Sequence, residues 1–196
     1  MKRCEWANKG NQAMKEYHDT VWGVAEYNDQ RLFRKLILDI NQAGLSWQTI
    51  LNKSDAFEVA YESFNIEKVA NFDEKKVTEL LENVGIIRNR LKINAAIINA
   101  KCVLEIQHEW GSFSNYLWHF VEGNPIVHHF NKSEEIPTRT ELSDEITKDL
   151  KKRGFKFVGS TIIYAFLQAI GIVNDHLVTC FRYEEVQNKT KNQQRK

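Results

Sequence analysis

Four side chains able to hold a soft divalent metal stand near the two ends of this chain. Cys4 and His18 lie in RCEWANKGNQAMKEYHDTVWG, and His176 and Cys180 lie in NDHLVTC. On a helix, positions i and i+4 share a face, so a helical reading of NDHLVTC aims the His176 imidazole and the Cys180 sulfur at one point. Together the four make the S2N2 donor set that suits tetrahedral zinc, and four protein ligands leave no open position for a reactant. Such a metal is structural, a clip that removes loop-closure freedom from the unfolded chain. The alternative is an incidental thiol at Cys4 and a chance H-x-x-x-C, since paired C-x-x-C signatures are absent. Cys102 falls on an apolar stripe and reads as a core thiol. His128 and His129 are adjacent, point in different directions and do not chelate together.

A second constellation surrounds Asp39. In LFRKLILDINQAGLSWQTIL this carboxylate sits between Leu38 and Ile40, on the buried side of an amphipathic pattern. A buried charge must be paired, protonated or facing a ligand. Trp47 follows closely, and Trp6, Tyr17 and Trp22 crowd the amino end. Each ring alone is ordinary core. With a carboxylate they form a slot for a flat cation, drawn by π attraction and by charge where water is excluded. No lysine is expected beside this slot in an apolar setting, which disfavours Schiff-base chemistry.

The third constellation is basic. LLENVGIIRNRLKINAAIINA reads as helix, short turn with Gly85, and a second helix opening with Arg88, Arg90 and Lys92. A helix–hairpin–helix of this kind holds a phosphate on backbone N–H groups flanked by positive charge, without reading bases. An ordinary αα-hairpin with solvated basic residues fits the pattern equally. TKDLKKRGFKFVG adds Lys152, Arg153 and Lys156 among further lysines, although basic residues before Gly154 also serve as helix C-cap chemistry.

The elements that must carry these groups are helical. With only two prolines and nine glycines in 196 residues, apolar positions recur at three- and four-residue spacing almost throughout, an all-α pattern. A helix capped by Asn28 or Asp29 runs through Leu32, Phe33, Leu36, Ile37 and Ile40 to Gly44. Another, capped by Asp73, runs to Gly85, and a third from near Arg88 through Cys102. Helices are expected over 112–122, 141–153, 160–170 and 174–183, with 123–140 a long connection and the polar QNKTKNQQRK a disordered tail. A net charge of +1 makes any basic surface local. No apolar run reaches membrane-spanning length and no leader follows Met1, so the expectation is a soluble intracellular protein with its thiols reduced.

RCEWA, YHDTVWG, QAGLSW, GIIRNRLKI, DLKKRGFKFVG and GIVNDHLVTC stand in the order and spacing of the 3-methyladenine DNA glycosylase I family, which the chain resembles over about residues 3–181. The resemblance implies a two-lobed, all-α helix–hairpin–helix glycosylase fold, with a structural zinc joining the N- and C-terminal regions through Cys4, His18, His176 and Cys180. It implies one glycosylase unit over 1–187, with lobes near 1–50 plus 140–187 and near 51–139, and a basic tail over 188–196. It further implies hydrolysis of the N-glycosidic bond of 3-methyladenine in double-stranded DNA, by a monomer in the bacterial cytosol or nucleoid. Asp39, Tyr17 and Trp47 would then serve the reaction, Trp6 and Trp22 would shape the walls, and Leu45 would fill the gap left by the flipped base. Family members carry glutamate where this chain has Asp39, and often where it has Val21. The shortened carboxylate keeps open a non-catalytic, lesion-sensing DNA binder that has lost excision. A zinc-stapled protein with no nucleic-acid role is the third possibility.

Overall fold

The computed structural model describes residues 1–193, with side chains described to residue 188. Twelve α-helices are seen among them. α1 (Glu5–Lys9) and α2 (Gln12–Thr20) precede the apolar α3 (Asp29–Gln42), and the short α4 (Trp47–Leu51), α5 (Ser54–Ala60) and α6 (Ile66–Ala70) follow. Next come α7 (Glu74–Glu82), α8 (Arg90–Trp110) and α9 (Phe113–His119), then α10 (Glu141–Lys152), α11 (Ser160–Ala169) and α12 (Arg182–Gln193).

The local signals explain where these helices start. Asn28 accepts from the Arg31 amide at 3.0 Å to cap α3, Asp73 accepts from Lys76 at 2.8 Å to cap α7, and Asn89 accepts from Lys92 at 3.1 Å to cap α8. Leu32, Phe33, Leu36, Ile37 and Ile40 of α3 are fully buried, as the stripe requires. α3 packs against α8, α9 and α11 at the centre of one continuous core. Asp29, in the first turn of α3, also accepts from the Phe113 and Ser114 amides at 2.8 and 2.9 Å, which seats the start of α9 on α3.

Three expectations need correction. The chain is mainly helical but carries a two-stranded parallel sheet, β1 (Ile126–Val127) with β2 (Val173–Asn174), in register Ile126 to Val173. Residues 175–181 are therefore not a helix; the loop and turn that follow β2 carry His176 and Cys180. α12 continues to Gln193 through most of the stretch read as a disordered tail, and 194–196 lie outside the described residues. No described helix is long and apolar enough to cross a membrane.

Candidate metal cluster and base pocket

Cys4, His18, His176 and Cys180 converge although the predicted helix is absent. Their ligand atoms lie within 4.8 Å of one another and all four residues are buried. Cys180 Sγ is 3.4 Å from His18 Nε2 and 3.6 Å from His176 Nδ1, and Cys4 Sγ is 3.6 Å from His176 Nδ1. A tetrahedral zinc with sulfur at about 2.3 Å and nitrogen at about 2.0 Å would hold its ligands roughly this far apart. The surroundings fit a metal as well. His18 Nδ1 meets Asp19 at 2.8 Å, and Asp19 is itself gripped by Arg3, at 2.8 Å through Nε and 2.7 Å through Nη2. His176 Nε2 donates to the Trp22 carbonyl at 3.1 Å, so its proton sits away from the cluster and Nδ1 faces it with a lone pair. Each imidazole is thus oriented, and its tautomer fixed, by an outer acceptor, the arrangement metal-bound histidines adopt. The hydrogen bond between the two thiols holds Cys180 well below the ordinary thiol range and pushes Cys4 above it. Gly23 is required here: at φ +79°, an added Cβ would lie 2.9 Å from His176 Nε2.

The base pocket adjoins this cluster through shared rings. Trp6 stands 5.2 Å from Trp22 and 6.3 Å from Tyr17, and Trp22 lies 4.6 Å from the His176 ring. A cavity of about 260 Å³ is lined by Trp6, Tyr17, Trp22 and Trp47 together with Lys35, Asp39, Gln42 and Gln168. That is below the ~300–1,000 Å³ of sites for drug-sized ligands, and it suits one flat base. Tyr17 and Trp47 do not sandwich a ligand. Their centroids are 5.2 Å apart at 50°, whereas a base between them needs two stacking gaps of about 3.5 Å. They form one angled wall. A wider cleft of about 530 Å³, which Lys35 also borders, has no aromatic ring in its lining. Its charges are compensated, Arg34 by Glu58 at 2.7 Å and Arg31 by Glu26 at 3.7 Å.

Asp39 is buried at 4% exposure and it is paired. Its Oδ1 accepts a short hydrogen bond from the Lys35 ammonium, while Oδ2 finds no donor among the described residues. The expectation that no lysine stands in an apolar setting beside the pocket is therefore overturned. Lys35 lies one helical turn before Asp39, a spacing that could have revealed it. Burial lowers Lys35 and raises Asp39, and their mutual attraction opposes both shifts. Burial, then the Asp39 charge, keep the Tyr17 phenol protonated. The Trp47 indole N–H, also buried, has no acceptor among the described residues. Gln168, a lining residue not anticipated, is oriented by Asp175, which accepts from its Nε2 at 2.7 Å, from the Tyr164 hydroxyl and from His128 at 2.6 Å. His129 turns elsewhere, to Tyr183 at 2.6 Å.

Leu45 projects from the loop between α3 and α4, 42% exposed. In the α7–α8 turn, Gly85 packs so closely on α5 that an added Cβ would sit 2.8 Å from the Ala56 Cβ. Its amide donates to Asn83 at 2.8 Å, and Lys53 grips the Val84 and Gly85 carbonyls at 2.9 and 3.3 Å. Arg88 is exposed, and Arg90 pairs with Glu74. Lys92 does not face solvent. It is 6% exposed and donates to the Asn41 and Ala43 carbonyls at 2.9 and 2.7 Å, satisfying the end of α3. Of the second basic group, Lys152 and Lys156 are exposed, but Arg153 is committed to Glu109 at 2.6 Å and Asp149 at 2.7 Å and lies over the Tyr116 ring. Cys102 is the buried thiol expected, donating to the Arg153 carbonyl at 3.3 Å.

Comparison with known proteins follows the same lines. Residues 6–183 match the family model for methyladenine glycosylase. DNA-3-methyladenine glycosylase 1 of Escherichia coli (strain K12) is 44% identical over 183 residues, covering 93% of this chain and 97% of the relative. DNA-3-methyladenine glycosylase of Haemophilus influenzae is 41% identical, covering 91% and 96%. The crystal structure of a variant of 3-methyladenine DNA glycosylase I in complex with 3-methyladenine superposes with a TM-score of 0.89 at 35% identity, covering 92% of this chain and 97% of that one. A pocket of rings around a carboxylate and this extent of similarity have one reading: the chain belongs to the methyladenine glycosylase family.

Proposed function

We propose that this protein is a DNA repair glycosylase that hydrolyses the N-glycosidic bond of 3-methyladenine in alkylated double-stranded DNA, releasing the free base and leaving an abasic site. The observation that carries this reading is the cavity in which Asp39 and four aromatic rings meet, in a chain 44% identical to a DNA-3-methyladenine glycosylase. Inside a duplex the scissile bond is out of reach, so the damaged nucleotide is flipped into the cavity. Methylation at N3 leaves the adenine cationic and the bond already weak. The protein therefore needs mainly to recognise the base and assist its departure. The base enters the space bounded by the rings, and Asp39 Oδ2 accepts from its N–H edge. Exposed Leu45 fills the gap in the duplex, and the Gly85 turn with Arg88 contacts the backbone, as do Lys152 and Lys156.

Zinc is the metal we assign to Cys4, His18, His176 and Cys180. When bound, it supplies a cross-link between the ends of the chain and no open coordination position. Chemistry is left to the pocket residues.

The test is release of 3-methyladenine from methylated duplex DNA by the purified, zinc-loaded protein. Release above the spontaneous rate is expected, and Asp39→Asn should slow it by about 100-fold while the fold is kept. A protein that shifts methylated DNA in a gel yet yields no alkali-labile sites would instead be a lesion-sensing binder. Full activity of Asp39→Asn would remove Asp39 from recognition.

A further inference from the structure

The pocket contains a cation of its own. Lys35 lies on the buried side of α3, 8% exposed, and lines the same cavity as Asp39 and the rings. Its ammonium stands 3.9 Å from the centre of the Trp47 ring and 5.7 Å from that of Tyr17. This is the place a cationic ligand would take against Trp47. Of its three N–H donors, one is engaged by Asp39, its single hydrogen-bond partner among the described residues.

The charge arithmetic of the site follows. A lone carboxylate would favour a cationic base over a neutral one, but a paired ammonium at similar distance repels that cation nearly as strongly as the carboxylate attracts it. What the pair offers instead is a donor beside an acceptor, the spare N–H groups of Lys35 next to the undonated Oδ2 of Asp39. That edge complements a base with a ring acceptor adjacent to an N–H, whether or not the base is charged.

We propose that Lys35 is a catalytic and specificity-determining residue that donates a hydrogen bond to the flipped base, stabilises the electron pair the base takes up as it leaves, and so admits neutral purines of the hypoxanthine type alongside 3-methyladenine. The inference rests on the glycosylase reading above. In the step, the bond between C1′ and the base nitrogen breaks with both electrons going to the base. A methylated, cationic adenine leaves neutral, whereas a neutral purine leaves as an anion and takes up a proton. Water adds to C1′ and gives up a proton, so each reaction is a hydrolysis and Lys35 stays charged throughout. A hydrogen bond from a spare Lys35 N–H to the base acceptor strengthens as electrons arrive there, so it acts more on the transition state than on the bound substrate. A neutral purine, lacking built-in charge, depends on it most.

The experiment measures single-turnover release from two duplexes, one methylated to carry 3-methyladenine and one with a single hypoxanthine. The wild type is expected to release both. Lys35→Met should lose hypoxanthine release by about 100-fold and 3-methyladenine release by less than about tenfold, and Lys35→Arg should restore hypoxanthine release to within about tenfold of the wild type. Because Lys35→Met strands a buried carboxylate, Lys35→Met/Asp39→Asn is compared with Asp39→Asn alone, which reads the same selective loss without an unpaired carboxylate. Wild-type release of 3-methyladenine but not hypoxanthine overturns the assignment, as do equal losses on both substrates in the folded double variant. Release of neither base defeats the glycosylase reading itself, which the first duplex reports separately.

Discussion

The Cys/His cluster and the aromatic pocket share a wall of rings, yet they differ in how their polar atoms are used. Around the cluster, His18 is oriented by Asp19, His176 by the Trp22 carbonyl, and nearby Asp175 takes three side-chain donors. Across the rings and among the described residues, Asp39 has one donor for two buried oxygens, and the Trp47 N–H has no acceptor. Two carboxylates of equal burial, Asp175 and Asp39, are thus treated in opposite ways. Buried polar groups are costly unless hydrogen-bonded. A saturated region therefore stabilises the fold, and the unsaturated one is where a ligand can supply what the protein withholds.

The comparison breaks most visibly if the cluster is dismantled. His176→Ala or Cys180→Ala should abolish the binding of one zinc per chain, checked by elemental analysis, and lower Tm by about 10 °C or more, as loss of several kcal/mol does in a chain this size. A variant that kept its Tm without metal would show that the cluster does not clip the fold. A smaller effect sharpens the other half. Replacing the ion pair by apolar residues, Lys35→Met with Asp39→Leu, should leave stability unchanged or raise it by about 1–4 kcal/mol while excision is lost, measured by denaturant melts beside base release. A clear loss of stability would place the pair among structural elements.

The smallest effect concerns acid. Burial pushes Asp149 up, but hydrogen bonds from Arg153 and Tyr116 prevail and hold it below the usual carboxylate range. Its folded-state value lies below the unfolded one, so its contribution is present above about pH 4 and is lost as pH falls further. Asp149→Asn should flatten that acid limb in melts taken from pH 5 downward. An unchanged limb would assign acid sensitivity to other carboxylates.

Much of this was legible in the residues. The α3 stripe, its Asn28 cap, the Asp73 cap of α7, the core position of Cys102 and the ring-lined setting of Asp39 all depend on local spacing, and local spacing is what a sequence displays. What it hid was non-local. NDHLVTC has helical spacing, but Asn174 pairs with Val127 and the Val178 amide donates to the Phe130 carbonyl at 3.0 Å, so a segment forty-odd residues earlier decides its shape. Lys92 looked like one more solvated base because the α3 carbonyls that need it lie about fifty residues away. Arg153 reads as part of a basic surface for the same reason, since its partner Glu109 belongs to α8. Lys35 is a different case, because its pairing with Asp39 is local and stands at four-residue spacing on one helix face.

The grip of Lys92 has a mechanical meaning. One ammonium rivets the first turn of α8 to the last turn of α3, and from that corner Gly85 and Leu45 extend in separate loops. In the proposed complex, a turn seated on a DNA strand would bring the leucine in at a fixed offset, like the second point of a pair of dividers, so that a damaged nucleotide would be sought at constant reach.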